Sequence, residues 1–160
     1  MAVDMFLNVA GIPGESTDDA HAEWIELLSF SHDVDQPTSG SSRTKGRTGG
    51  RADFGAFKVE KSIDTSTPDL NIFCASGQHI ETVELEMCLA TGDKHTFMRY
   101  VLKDVIISSY SIHGGGEDRA TEEVEFTYGE IEWEYTPIDH TGAPGAAIGR
   151  AWSLERNKQA

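Results

Sequence analysis

Strict alternation of apolar and polar residues runs through most of this chain and restricts its fold more than any other feature. Residues 3–9 place an apolar side chain at every second position, and residues 83–89 do the same. A period of two is the geometry of a strand that turns one face to a core and the other to solvent. The same pattern predicts further strands at about Trp24–Val34, Phe54–Lys61, His79–Ala90, Phe97–Leu102, Val105–Ile112 and Val124–Tyr135.

Two of these strands carry details that the structure can test. In the second strand the even positions, from Trp24 to Val34, are expected to face the core, while the odd positions become small and polar halfway along. In the last strand the apolar positions are even up to Tyr128 and odd from Ile131 onward. A β-bulge at Gly129 would keep both sets on one side of the sheet.

One short helix is predicted after the third strand. Thr67 is the expected N-cap, Pro68 occupies the first helical position, and Gly77 is suited to end the helix in a left-handed conformation. Leu70, Phe73 and Cys74 form one apolar stripe. A helix of about nine residues must pack on the sheet to be stable.

The predicted fold class is therefore all-β, a two-sheet β-barrel or sandwich with one short α-helix. A chain of 160 residues that is 38% hydrophobic fits a single domain over residues 1–160. Within it, residues 37–51 are expected to form an extended or mobile basic loop, and a Gly/Ala-rich segment at 137–150 precedes a closing segment at 151–157.

The charge distribution argues against several classes of partner. The chain has 13 Lys and Arg residues against 27 Asp and Glu residues, a net charge of −14. Such a field repels nucleic acid and anionic lipid, so neither nucleic-acid binding nor membrane insertion is expected. The first residues show no pattern of a signal peptide. The basic residues of the 37–51 loop, which contains no acid, are Arg43, Lys45, Arg47 and Arg51.

Patterns of enzyme chemistry are not found in the sequence. The six histidines do not form a H-x-H or H-E-x-x-H pair, and Cys74 and Cys88 do not have a zinc or redox spacing. Metal ligands would have to converge from distant strands, which a sequence does not show. We therefore predict no enzyme activity, cofactor or metal site, and leave open whether the two cysteines pair.

Several segments together resemble the hemolysin-coregulated proteins (Hcp) of bacterial type VI secretion systems. The resemblance covers nearly the whole chain, in order, and the combination is more specific than any one segment. Its segments are Met1–Phe6, Gly14–Ser16, Ile25–Gln36, Lys61–Pro68, Ala75–His79, Val105–Ser109, Gly115–Arg119, Thr121–Glu122 and Ala151–Asn157.

The resemblance implies a mechanical function. Six copies would close into a ring, and rings would stack into the hollow inner tube that a contractile sheath propels beneath a spike protein of the VgrG type. Implied partners are the chain itself as a homohexamer, the spike, the sheath and baseplate, and small effector proteins carried in the bore. The protein would be made in the cytoplasm and secreted through the type VI system.

Two sets of residues are candidates for contacts in such a tube. Because loop 37–51 is long and basic, its four cationic side chains are candidates for contacts between subunits or stacked rings. The polar half of the second strand, Ser29, Ser31 and Asp33, is the candidate surface of the bore. The alternatives are a mobile loop without contacts and an ordinary solvated face.

Three other functions are weighed against the tube subunit. A monomeric small-ligand-binding β-barrel would need polar groups inside the apolar faces, and few are seen. A toxin fused to a tube subunit would need a catalytic domain, and only 23 residues follow Pro137. The tube of another contractile machine, such as a phage tail, fits the Hcp-like segments less well.

Overall fold

The computed structural model describes residues 2–39 and 46–160 and shows a mainly β architecture with one helix. The strands are β1 (Val3–Val9), β2 (Ile25–Glu26), β3 (Ser29–Ser31), β4 (Val34–Asp35), β5 (Thr38–Ser39), β6 (Thr48–Gly49), β7 (Asp53–Phe54), β8 (Phe57–Ser62), β9 (Ile80–Leu89), β10 (Thr96–His113), β11 (Thr121–Tyr135), β12 (Ile148–Ser153) and β13 (Lys158–Gln159). Helix α1 spans Thr67–Ser76.

A long hairpin of β10 and β11 organises the sheet. The strand order is β13-β12-β11-β10-β9-β1-β2, and β8 pairs with both β11 and β3. Along β11, residues 121–126 pair with β8, whereas residues 130–135 pair with β12. The two halves of one hairpin therefore carry different neighbours.

The expected change of phase at Gly129 is present, but it is not a bulge in the strand register. Leu102 pairs with Ile131 and Val105 with Tyr128, and all four side chains are buried. Asp104, with a φ of 52°, changes the phase of β10 opposite Gly129. Because both strands change phase at the same level, their pairing register is the same before and after Gly129. A shift in register between β10 and β11 does occur, but further along β10, between Ile107 and Ser109.

The prediction of one strand over residues 24–34 with a core-facing even side is wrong in its first half. Ile25 and Leu27 are buried, whereas Leu28 is 53% exposed. The reason is a change of partner. The Leu27 amide donates to Met5 of β1, and the next amide, of Leu28, donates to Glu60 of β8. This segment thus connects β1 to β8, and among its even residues Phe30 and His32 face inward, whereas Val34 is 45% exposed.

One apolar core lies between these strands and the helix. It comprises Leu7, Val9, Ile12, Ile25, Leu27, Phe57, Val59, Leu70, Ile80, Val83, Leu85, Leu102, Val105, Ile107, Val124, Phe126, Tyr128 and Ile131. The predicted helix stripe is confirmed, because Leu70 is buried and both Phe73 and Cys74 pack against this core.

The helix ends are close to the prediction. Gly77 ends α1 with a φ of 66°, as expected. The N-cap is Ser66 rather than Thr67, and Thr67 is the first helical residue. The Thr67 hydroxyl accepts from the Asp64 amide and donates to the Glu122 carboxylate, so its side chain joins the helix to β11.

A buried ion pair lies beneath the start of this helix. Lys61 and Glu122 face each other across β8 and β11, and both are 0% exposed. The Lys61 ammonium lies 3.3 Å from Glu122 and 2.9 Å from Asp64. Each charge is out of water and has only the others to balance it, so removal of one partner leaves the rest uncompensated.

We predict that Lys61→Met lowers the free energy of unfolding by about 3–5 kcal/mol, because Glu122 would then be buried without its cation. The double variant K61M/E122L should recover most of that loss. The matched control is Lys58→Met, whose exposed pair with Glu125 lies on the same two strands and should cost less than about 1 kcal/mol. Urea unfolding measures all three, and equal losses for the two single variants would contradict the prediction.

Candidate functional site

The predicted basic loop is a β-hairpin arm in its described part. Residues 34–54, which we call the arm, form two short ladders: β4 pairs with β7, and β5 pairs with β6. Around these ladders, residues 33–38 and 46–51 are exposed. The sequence predicts an extended or mobile loop here, and the described residues are extended. A two-stranded ribbon exposed on both sides is marginally stable in water, so a neighbour would be expected to support it.

Aromatic side chains anchor the base of the arm to the body of the molecule. The ring of Phe54 stacks on Trp152 at 6.3 Å, and His32 lies 5.7 Å from Phe57. The Nε2 atom of His32 is 2.8 Å from the Tyr128 hydroxyl, which donates to the Gly55 carbonyl. Burial lowers the pKa of His32 and raises that of Tyr128, so both side chains are neutral at pH 7.

The four basic candidates differ in position. Arg43 and Lys45 lie outside the described residues. Arg47 is exposed on the arm. Arg51 donates from Nη2 to the Leu154 carbonyl at 3.2 Å, so this side chain contacts the closing segment of its own chain.

The cations of the described residues, including Arg47 and Arg51, fall into two groups. In the first group, each side chain forms an ion pair within the chain; its members are Lys58, Lys61, Lys94, Arg99 and Lys103. No ion pair forms, among the same residues, at Arg47, Arg51, Arg119, Arg150, Arg156 and Lys158. Except for Arg119, the second group lies on the arm and on the closing strands that the arm contacts. The uncommitted positive charge is therefore concentrated at one side of the molecule.

Two of the three bore candidates lie on a common polar face. Ser29 and Ser31 are exposed on β3, opposite Glu60 and Lys58 of β8. The cross-strand rows continue onto β11 and β10 and give a polar surface four strands wide. Its members, which we call the polar face, are Ser29, Ser31, Lys58, Glu60, Ser109, Ser111, Glu123 and Glu125.

Asp33 is not part of the polar face. Its carboxylate lies over Gly55, where an added Cβ would come within 1.7 Å of Oδ1. The Gly55 amide also donates to the Asp33 carbonyl at 3.1 Å. The role of Asp33 is thus to pack the base of the arm, and any larger residue at position 55 would displace it.

Large apolar side chains are exposed at two distant places on the β10–β11 hairpin. Tyr135 is 51% exposed and pairs directly with Ile148, which is 58% exposed. Ile112 is 54% exposed and pairs with Glu122 near the other end. Tyr135 and Ile148 thus form an exposed apolar pair, whereas Ile112 is a single exposed side chain of a kind common on folded proteins.

A polar cluster that the sequence did not reveal lies on the other side of the sheet. His21, in the loop after β1, lies between Asp18 at 2.7 Å and Glu86 of β9 at 2.5 Å. Cys88, two residues beyond Glu86, has its Sγ 3.7 Å from the His21 ring. Burial raises the pKa of the Cys88 thiol. His21 is separated by 65 residues from Glu86, so only the S-T-D-x-x-H spacing of residues 16–21 could have suggested a local bond, that between Asp18 and His21.

Comparison with known proteins decides which family has this architecture. Residues 6–135 match the family described as "Type VI secretion system effector, Hcp". The chain belongs to the Hcp family. Its fold and the resemblance drawn from the sequence are confirmed together, and it is a type VI secretion tube protein.

Individual Hcp relatives extend over the whole chain. The protein hcp1 of Pseudomonas aeruginosa is 37% identical over 163 residues and is aligned over 100% of both chains. A solved type six secretion system protein superimposes with a TM-score of 0.95 at 38% identity, covering 99% of this chain and 100% of that one. Hcp1 of Salmonella typhimurium gives a TM-score of 0.82 at 29% identity, with full coverage of both.

Hcp membership does not favour the alternative functions. Neither the monomeric ligand-binding barrel nor the tube of another contractile machine receives support from these relatives. Hcp is a secreted type VI protein with a structural function. Among the described residues of this Hcp chain, no helix is long and apolar enough to span a bilayer. Both cysteines are free thiols.

Proposed function

We propose that this Hcp chain forms homohexameric rings that stack into the inner tube of a type VI secretion system. The tube works with a VgrG-type spike, a contractile sheath and a baseplate, and it carries small effectors in its bore. The protein is made in the cytoplasm and leaves through the same system. The function is mechanical, with no bond chemistry.

The observation that carries the proposal is the separation of unlike surfaces on one subunit. A ring needs a heterologous interface, in which one face of each subunit contacts a different face of the next. Among the described residues, the cations without an ion pair lie on the arm and closing strands, except for Arg119, and acids outnumber bases 27 to 13 in the chain as a whole. The exposed apolar pair of Tyr135 and Ile148 lies far from Ile112 along the hairpin. A heterologous contact between unlike surfaces closes into a ring when the rotation between neighbouring subunits allows it, and it does not produce a two-fold dimer.

The ring predicts a native mass of about 105 kDa, six times the 17.5 kDa of the chain. Each ring would carry a charge of −84, six times −14. Long-range repulsion between rings should therefore weaken stacking at low ionic strength, and screening to a Debye length of about 8 Å should strengthen it. Native mass spectrometry and negative-stain microscopy at two salt concentrations measure both. A monomer at high concentration, or stacking that weakens on adding salt, would contradict this.

The polar face is the proposed lining of the bore. Its side chains are small or charged, and its one cation, Lys58, is bound to Glu125 at 3.2 Å, which leaves the surface acidic. Side-chain hydrogen bonds within the face, such as Ser29 to Glu60 at 3.2 Å, keep it flat and hydrated. A surface of this kind would let a soluble effector pass without adhesion.

Spin labels test which side of the subunit faces the bore. Ser31→Cys places a label on the polar face, and the matched control Asn8→Cys places one on exposed β1, across the core. Both variants carry alanine at the two native cysteine positions. In a six-fold ring, the distance between neighbouring labels equals their distance from the axis, so the Ser31 label should give the shorter distance by pulsed electron paramagnetic resonance. Equal or reversed distances would exclude the polar face as the lining.

The arm is the proposed contact between neighbouring subunits or rings. It is exposed on both sides and carries cations that are not committed to ion pairs among the described residues. The Arg51 bond to Leu154 and the Phe54–Trp152 stack hold its base in a fixed direction. The rest of the surface is acidic, so a neighbouring subunit would offer the carboxylates that these cations lack.

Replacing Arg43, Lys45, Arg47 and Arg51 together by Gln should weaken assembly at least tenfold in the concentration required. The matched control replaces Lys58, Lys94, Arg99 and Arg119 by Gln, which changes the net charge by the same amount at residues outside the arm and the closing strands. Sedimentation velocity compares the two sets with the unchanged protein. If both sets weaken assembly equally, net charge is responsible and the arm makes no specific contact.

A further inference from the structure

Three different metal-binding side chains converge beside the cleft between β1, β9 and the loop at residues 14–24. The Nε2 atom of His21, a carboxylate oxygen of Glu86 and the Sγ of Cys88 all lie within 4.8 Å of one another. From this arrangement we propose that His21, Glu86 and Cys88 bind a Zn²⁺ ion that ties the loop to β9. The proposal does not rest on the proposed tube.

The distances are close to those of a tetrahedral zinc site. Zinc bonds of about 2.0–2.1 Å to nitrogen and about 2.3 Å to sulfur place N and S ligands about 3.6 Å apart. The His21 Nε2 to Cys88 Sγ distance is 3.7 Å. Glu86 is nearer, at 2.5 Å from Nε2, and its carboxylate would move back by about 0.8 Å to admit the ion. The Thr96 hydroxyl lies 3.1 Å from the same Glu86 oxygen and is therefore a neighbour of the carboxylate as it moves.

The hydrogen-bond geometry around His21 suits a metal ligand. Carboxylate oxygens meet both ring nitrogens, Asp18 at Nδ1 and Glu86 at Nε2. A neutral imidazole has only one N–H, so one of these contacts requires either a second proton or a cation. If Nδ1–H donates to Asp18, then Nε2 presents its lone pair to Glu86 and Cys88. A carboxylate that holds the far ring nitrogen is the usual partner of a metal-bound histidine.

Charge and access also suit a divalent ion. A neutral His21, the Glu86 carboxylate and the Cys88 thiolate together supply two negative charges, and the thiol proton is released to solvent when the Zn–S bond forms. A cleft of about 730 Å³ borders His21 and Cys88, which gives an ion a route from solvent to these two ligands. Sulfur and imidazole donors favour Zn²⁺ over Mg²⁺ or Ca²⁺, which prefer oxygen ligands alone.

The test uses untagged, EDTA-treated and reduced protein with Co²⁺ as a visible substitute for Zn²⁺. The unchanged protein should develop a sulfur-to-cobalt charge-transfer band that added Zn²⁺ abolishes. The chain has two cysteines, so the band should persist in Cys74→Ala, which assigns it to Cys88 even if Cys88 variants fail to fold. Asp18→Asn should lower the Zn²⁺ affinity by about 10- to 100-fold through its contact with His21.

Thermal unfolding gives a second readout. Zn²⁺ should raise the melting temperature of the unchanged protein and of Cys74→Ala, because it binds only the folded form. It should not raise that of Cys88→Ala or His21→Gln. The proposal is overturned if Co²⁺ gives no sulfur band, if the band disappears in Cys74→Ala, or if Zn²⁺ stabilises all variants equally.

Discussion

The structure depends on one long hairpin that must serve two sets of neighbours. β10 and β11 are paired from Met98–Tyr135 to His113–Thr121, yet β12 flanks one half of β11 and β8 flanks the other. A regular pleat would keep the apolar side chains of the whole hairpin on one geometric face. The sheet must bend for both halves to surround one core. Asp104 and Gly129 supply the change of phase at the same level in both strands, so no register is lost.

This bend decides where the polar face lies. Beyond Asp104, the inner sides of the hairpin carry Ile107, Val124 and Phe126, and the outer sides carry the serine and glutamate rows of the polar face. The buried Lys61–Glu122 pair lies on the two strands that form this half, and Thr67 connects it to α1. The helix is therefore held to the sheet by the hydrogen bond of Thr67 to the charged Glu122 as well as by burial of Leu70. These contacts lie on the core side of the strands that carry the polar face, and they fix its position.

Regular alternation made most of the strands predictable, and the cap glycine and proline made the helix predictable. Residues 24–34 were misjudged because alternation assumes one partner throughout, whereas the main chain changes from β1 to β8 between Leu27 and Leu28. The pairing within the arm left no apolar signal, because its side chains are small and polar. The His21, Glu86 and Cys88 cluster could not be foreseen, because a loop residue and a strand 65 positions later meet only after folding.

The subunit can fold despite its excess of negative charge because many of its cations form ion pairs with carboxylates of the same chain. Lys58, Lys94, Arg99 and Lys103 balance carboxylates that would otherwise repel along the strands, and Lys61 balances the buried ones. What remains positive among the described residues is mostly on the arm and the closing strands, which contact each other through Phe54 and Trp152. If the cations without ion pairs were spread evenly over the surface, no one side of the molecule would attract the acidic surface of another copy. Among the described residues of this chain, most cations without an ion pair lie on the arm and the closing strands. In the proposed tube, attraction between copies would therefore act at contact distance, while the net repulsion, which acts over longer distances, would be screened by salt.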